Sequence, residues 1–155
     1  MDLTRKIDMY TGIVAGTAPV VEIKDGEIIR SFTIDLNGFL EDLQIGASVA
    51  LDGVCMTVVS IEDNLVRFDA IEETLSRTTL ENLEVGSLVN IERSLKMGDE
   101  LGGHMISGHV WMTARIISRE ERGEGTNFLI ENPSEASPYI LEKGFISIDG
   151  MSLTI

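Results

Sequence analysis

Hydrophobic and polar positions alternate along most of this chain with a period of two. Ser31-Phe32-Thr33-Ile34-Asp35-Leu36 places an apolar side chain at every second residue, as a half-buried strand requires, because successive strand side chains point to opposite faces. Residues 9–23, 48–52, 54–61, 65–71 and 88–93 are likewise alternating or β-branched, with turn residues between them, and are predicted strands. Asp52-Gly53 lies between two such runs and predicts a two-residue type I′ hairpin, a turn that needs positive φ at both positions. Short helices fit only around residues 38–43, 72–79 and 135–142. So many short strands predict an all-β chain folded as a small closed barrel or a sandwich.

A repeat changes this picture. Met9-Tyr10-Thr11-Gly12-Ile13-Val14 reads onto Met105-Ile106-Ser107-Gly108-His109-Val110 at an offset of 96, and Thr17-Ala18 onto Thr113-Ala114 at the same offset. The run from Val49 to Val58 then lies over the run from Ile146 to Ile155 at an offset of 97. Two collinear blocks with one residue of slippage mark an internal duplication. The expected organisation is one whole β module over residues 9–97, the opening part of a second over 98–155, and an extension at 1–8. The counterpart of residues 59–94 would fall beyond Ile155, so the chain reads as part of a longer two-module protein.

Composition removes several classes of function. Of 155 residues 43% are apolar and 25% charged, an ordinary globular composition. Twelve basic against 26 acidic residues give a net charge of −14, which repels phosphate backbones and anionic lipid, so neither nucleic acid nor membrane is an expected partner. The single cysteine, Cys55, excludes an internal disulfide or a multi-thiolate zinc site and fits a reducing compartment. Arg5 and Lys6 precede an apolar stretch, but Asp2, Asp8, Gly12, Gly16 and Pro19 interrupt a leader pattern; the reading is a cytoplasmic chain.

The residues with chemistry are few. Cys55 reads either as a small buried hydrophobe or as a binding-face thiol, and its repeat counterpart Ser152 favours the second reading. His104 and His109 are five residues apart with no third ligand beside them, which fits structural or acid–base roles rather than zinc. Asp52 and Asp149 most simply make their Asp-Gly turns. Gly102-Gly103 and Gly108 match no dinucleotide fingerprint. Residues 120–125 read as a solvated hairpin loop, and Trp111 as core or interface.

Tyr10-Thr11-Gly12-Ile13-Val14, the run from Gly46 to Val58, Glu73-Thr74-Leu75 and Val89-Asn90-Ile91-Glu92-Arg93 occur in that order. Gly102-Gly103-His104, Ser107-Gly108-His109-Val110 and the run from Lys143 to Thr154 follow. Together they resemble riboflavin synthase of the two-barrel type. The resemblance implies tandem six-stranded Greek-key barrels, the second incomplete, each binding one 6,7-dimethyl-8-ribityllumazine. It implies a dismutation in which one lumazine gives a four-carbon unit to another, yielding riboflavin and a ribitylaminopyrimidinedione, with no metal or cofactor. It also implies a homotrimer, with a dimer through an exposed contact surface as the alternative for a shortened chain. The rival on the same fold is a non-catalytic lumazine or flavin binder resembling the lumazine proteins; retention of the second-module motifs favours the enzyme.

Carried over residue by residue, the first barrel's ligand contacts fall on Gly12, Ile13 and Val14, on Ser48 and Ala50, and on Cys55, Met56 and Thr57. They continue over Asp69, Ala70, Ile71, Glu72, Glu73 and Thr74. Those of the second fall on Gly108, His109, Val110, Lys143, Ser152, Leu153 and Thr154, with Asp149 close by. Cys55, Ser48, His109, Asp149 and Ser152 are the candidate catalytic residues, and His109 is preferred to His104 as the acid–base group because it lies inside the matched contact run.

Overall fold

The computed structural model describes residues 8–155. Six strands close into a barrel: β1 (Gly16–Asp25), β2 (Ile29–Asp35), β3 (Ser48–Leu51), β4 (Val54–Glu62), β5 (Leu65–Ile71) and β6 (Leu88–Arg93). Their order around the barrel is β1, β2, β5, β4, β3, β6, and β6 pairs back onto β1. This is the Greek-key barrel of the sequence reading, not a sandwich. Closure gives every strand two neighbours, although the β4–β5 ladder stops at Val58↔Phe68.

Alternation builds the core. Phe32 of β2 and Phe68 of β5 are cross-strand partners and both are fully buried, beside Ile34, Leu51, Val66 and Ile91. Each such side chain stabilises the barrel by roughly 1.5–3 kcal/mol. The Asp52-Gly53 turn joins β3 to β4 with φ of 48° and 80°, as the hairpin signal requires.

The second module supplies two separate hairpins, β7 (Ile116–Arg122) with β8 (Gly125–Ile130) and β9 (Phe145–Ile148) with β10 (Met151–Thr154). Beyond residue 97 the only buried positions are Gly108 and Gly150, and both lie against the first module. Gly108 packs on Cys55 and Tyr10, and the backbone of Gly150 on that of Gly53. The backbones of the two modules nevertheless match. Left-handed φ values recur at Gly12 (74°) and Gly108 (71°), at Asp52 (48°) and Asp149 (47°), and at Gly46 (83°) and Lys143 (64°).

Four local expectations are corrected. The predicted strand over residues 9–23 begins only at Gly16; Gly12, at φ 74°, turns the chain away, and residues 9–15 leave the barrel through a bridge between Tyr10 and Ile106. No helix forms at 38–43, because positive φ at Gly38 and Asp42 leaves only separate turns. A helix over 135–142 is reduced to one 3-10 turn, Ser137–Tyr139, since Pro138 has no N–H to donate. Residues 120–122 belong to β7 and Gly125 to β8, so the expected loop is only Gly123 and Glu124. The segment over 72–79 does form, as α1 (Glu72–Arg77) followed by the 3-10 turn Thr79–Asn82.

Candidate functional site

The opening segments of the two modules cross. Tyr10 and Ile106 exchange reciprocal backbone hydrogen bonds of 2.8 and 3.0 Å, and beyond this bridge each chain runs onto the other module. The Cys55 amide donates to the Gly108 carbonyl at 2.8 Å, and the Ser152 amide to the Gly12 carbonyl at 2.9 Å. Gly12 therefore lies beside Ser152, and Gly108 beside Cys55. Glycine is required at both crossings. A Cβ at Gly108 would stand 2.8 Å from Cys55 Cβ and from Tyr10 Cε2, and one at Gly12 would stand 2.4 Å from Ser152 Cβ.

The first half-site is a gap between two strands. The β4–β5 ladder runs from Glu62↔Leu65 to Val58↔Phe68 and then stops. Cys55, Met56 and Thr57 remain paired to β3, and Asp69, Ala70 and Ile71 to β2, so each segment has a backbone edge turned toward the gap and free of the other. Such an edge offers alternating N–H and C=O groups to a planar heterocycle with the same alternation. Ser48 and Ala50 sit across β3 from Thr57 and Cys55. At the lip Ser31 Oγ donates to Asp69 Oδ1 at 2.7 Å. Glu72 and Glu73 form the first turn of α1, and Glu73 is drawn off by Arg77 at 2.5 Å.

Cys55 is not poised as a nucleophile. Burial pushes its thiol up, a hydrogen bond from Tyr10 opposes this, and the negative charge of Asp8 raises it further. The Tyr10 hydroxyl donates to Cys55 Sγ at 3.1 Å, and burial holds that phenol well above its usual range. The pair is therefore neutral, a hydrogen-bonding floor rather than a thiolate.

The second half-site contains a residue that the sequence reading set second. His104 Nδ1 lies 2.5 Å from Ser152 Oγ, and its ring stacks on Phe145 with centroids 4.3 Å apart and planes 12° from parallel. Its amide donates to the Thr11 carbonyl at 2.9 Å; Gly103 permits this approach, since a Cβ there would stand 2.2 Å from the same oxygen. His109, the preferred acid–base candidate, is exposed, with its amide held by Ser107 Oγ. Lys143 donates its amide to the Ile155 carbonyl at 3.2 Å, as Gly46 does to Val58 at 2.8 Å. Val110 packs against the first barrel's core, whereas Leu153 and Thr154 are exposed on β10.

Glu92 is a second residue the sequence reading passed over. Its buried carboxylate accepts from the Thr11 amide at 2.6 Å, the Thr11 hydroxyl at 2.7 Å and the Gly12 amide at 3.1 Å. Hydrogen bonds to a buried carboxylate are strong, about 1.5–3 kcal/mol each, and these fix the segment that carries Gly12 to the second half-site. No local signal could have found it, because its partners lie 80 and 81 residues away.

The two Asp-Gly turns meet at the junction. Asn90 joins them, its amide donating to Asp52 Oδ1 at 2.7 Å and its side chain to the Asp149 carbonyl at 2.9 Å. Burial pushes the Asp52 carboxyl up to about 6, against the Asn90 hydrogen bond, and the charge of Asp149 adds to the rise. Burial raises Asp149 as well. Trp111 is not core: it is 46% exposed and stands edge-on to Tyr139 at 5.4 Å. Among the described residues no three His, Cys, Asp or Glu side chains gather to hold a metal, and no helix is long and apolar enough to cross a membrane.

The lumazine binding domain family model matches residues 11–94 and 107–155, the two modules of the repeat. Riboflavin synthase of Escherichia coli (strain K12) is 45% identical over 150 residues, covering 95% of this chain and 70% of that protein. Riboflavin synthase of Chlamydia muridarum is 50% identical over 152 residues, covering 95% and 72%. The crystal structure of LumP complexed with 6,7-dimethyl-8-(1'-D-ribityl) lumazine superposes with a TM-score of 0.83 at 28% identity, covering 94% of this chain and 79% of that one. With both modules matched in order and relatives of this identity aligned over nearly its whole length, the chain belongs to the riboflavin synthase family of lumazine-binding-domain proteins.

Proposed function

We propose that the two quasi-equivalent half-sites each bind one 6,7-dimethyl-8-ribityllumazine, and that the reaction they serve is the dismutation to riboflavin and 5-amino-6-ribitylaminopyrimidinedione. The observation that carries this reading is the duplication itself. The reaction consumes two copies of one molecule, and the chain repeats one backbone arrangement around Cys55–Gly108 and Ser152–Gly12. The substrate's 7-methyl group is acidic because its carbanion delocalises into the pteridine ring. What the protein must supply is a proton path and two rings held face to face, and orientation alone can lower such a barrier by roughly 7–11 kcal/mol.

In this reading Thr57, Asp69, Ala70 and Ile71 hold one lumazine by their free backbone edges, with Cys55 and Met56 beside it and Gly108, His109 and Val110 closing over it. Gly12, Ile13 and Val14 close the other half-site, over Ser152, Leu153, Thr154 and Lys143. Ser48, Ala50, Glu72, Glu73 and Thr74 border the first ring, and Asp149 the second. The productive pair forms between the first half-site of one protomer and the second of a neighbour, in a cytoplasmic homotrimer. Within these 155 residues the second half-site has no counterpart of the run from Asp69 to Thr74, and the expectation for this polypeptide is lumazine binding at the first half-site with reduced or absent turnover.

The test is fluorescence titration of the polypeptide with 6,7-dimethyl-8-ribityllumazine, followed by incubation and detection of riboflavin. Binding with slow or no riboflavin formation is the expected result. Absence of lumazine binding overturns the functional reading, and a full rate from homogeneous 155-residue protein overturns the need for the missing run. Binding with no riboflavin from any longer form carrying both complete half-sites would favour the non-catalytic lumazine binder.

A further inference from the structure

We infer that Arg77 is a positioning residue of the first half-site: its guanidinium clasps the second module's closing segment to α1, and so sets how fast a ring bound in the gap can leave. The inference deepens the lumazine reading above and rests on it.

The closing segment runs from Gly108 to Trp111 and is held at three points. The Gly108 carbonyl accepts from the Cys55 amide on β4 at 2.8 Å, Val110 packs against the first barrel's core, and the Trp111 carbonyl accepts from Arg77 Nη1 at 3.3 Å. Arg77 is the last residue of α1, which follows β5 without a break. The segment is therefore fastened at one end to β4 and at the other just beyond β5, the two strands whose ladder stops at Val58↔Phe68. It bridges the two walls of the gap. Three residues reach at most roughly 10 Å, about the two strand spacings that a heterocycle inserted between β4 and β5 would occupy.

The two fastenings are unlike. At the inner end Gly108 is buried against Cys55 and Tyr10. At the outer end a cavity of about 330 Å³ lies beside Trp111, lined also by Ser76, Arg77, Met112, Thr113 and Glu135, and the indole is exposed. Its aromatic neighbour, Tyr139, belongs to the second module and gives no anchorage to the first. The hydrogen bond from Arg77 is what ties this end down.

Arg77 is aimed for that contact by Glu73. The two are four residues apart on one face of α1, and Nε donates to Glu73 Oε1 at 2.5 Å. The guanidinium is planar, so fixing Nε also fixes the direction of Nη1. One side chain thus joins the wall that carries Glu73 to the segment that closes over the ring. An exposed ion pair of this kind adds little to the stability of a fold, so its loss is felt at the gap.

Stopped-flow fluorescence of the 155-residue polypeptide with 6,7-dimethyl-8-ribityllumazine separates association from dissociation, and Trp111, the single tryptophan of the chain, reports on the clasped end. Arg77→Met keeps an apolar stem and removes both donors. It is expected to leave the association rate within about twofold, to raise the dissociation rate about fivefold, the upper range for an exposed charged contact, and to make Trp111 more accessible to acrylamide quenching. Arg77→Lys keeps the charge beside Glu73 and loses the fork, and is expected to dissociate at the rate of the Met variant. Unchanged urea midpoints establish that both variants fold as the wild type does. A wild-type dissociation rate in Arg77→Met overturns the clasp, and so does full recovery by Arg77→Lys, which would assign the effect to charge alone. A fall in association or in the urea midpoint as large as the rise in dissociation also overturns it, by making Arg77 a merely structural residue. Wild-type polypeptide that binds no lumazine is a different result: it removes the functional reading, and the clasp with it.

Discussion

Cys55 and Ser152 occupy the same place in two copies of one backbone arrangement, each donating its amide to a left-handed glycine of the other module. Their surroundings differ. Cys55 faces a buried phenol and a carboxylate, Tyr10 and Asp8, whereas Ser152 faces a stacked imidazole. The first sits on a closed barrel with its own core, and the second on a hairpin whose buried neighbours are confined to the junction. Duplication thus fixed the turns and crossings, which depend on backbone conformation, and left the side chains free to diverge. Any chemical difference between the two arrangements therefore resides in those side chains.

The most severe way to break the comparison is at the crossings. Gly12→Ala and Gly108→Ala each put a Cβ on a residue at positive φ, about 1–2 kcal/mol for a left-handed L-residue, and into a contact below 3 Å, a further 1–3 kcal/mol or so of overpacking. Amide hydrogen exchange reads the result locally. Gly12→Ala is expected to release the Ser152 amide by about 2–5 kcal/mol and leave the Cys55 amide protected, and Gly108→Ala to do the reverse. If each substitution instead released the amide in its own module, the crossing would be wrong.

A smaller effect is expected at the junction of the two turns. The Asp52 carboxyl is pushed up to about 6 from its usual 3.8 by burial, so the fold favours its protonated form. Between about pH 4 and pH 6 the unfolded chain has already lost this proton while the folded chain retains it, and stability falls as pH rises through that window. After discounting for solvent at a half-exposed site, the loss is on the order of 1–2 kcal/mol. Asp52→Asn keeps an oxygen for the Asn90 amide and is expected to flatten this dependence. Urea unfolding at pH 4 and pH 7 checks it, and an unchanged slope in the variant would remove Asp52 as the source.

What was legible in the sequence follows the range of the forces involved. The spans of β5 and β6 match the alternating runs over 65–71 and 88–93, because a strand buried on one face writes its register into consecutive residues. The repeat exposed both half-sites, since equivalent turns need equivalent residues. Which hairpin Gly12 would dock on was not legible: apolar alternation runs through it without a break, and its partner Ser152 is 140 residues away. Glu92 and His104 were hidden for the same reason. A carboxylate in a strand and a histidine in a glycine-rich loop acquire meaning only from Thr11, Gly12 and Ser152, which tertiary structure brings to them.

The mildest change sharpens the contrast by making the half-sites alike. Cys55→Ser gives the first half-site the hydroxyl that the second already has. A serine hydroxyl can still accept from Tyr10, and the amide contact to Gly108 involves backbone alone, so lumazine affinity is expected to stay within about threefold, under 1 kcal/mol. Protein-dependent exchange of the lumazine 7-methyl hydrogens with D2O, followed by NMR, is expected to be unchanged, because the new hydroxyl has a carboxylate and a phenol beside it and no imidazole to take its proton. A loss of 100-fold or more in either measurement would show that the thiol itself takes part, despite the burial that keeps it protonated. A gain in exchange would show that hydroxyl identity, rather than the histidine behind it, separates the two half-sites.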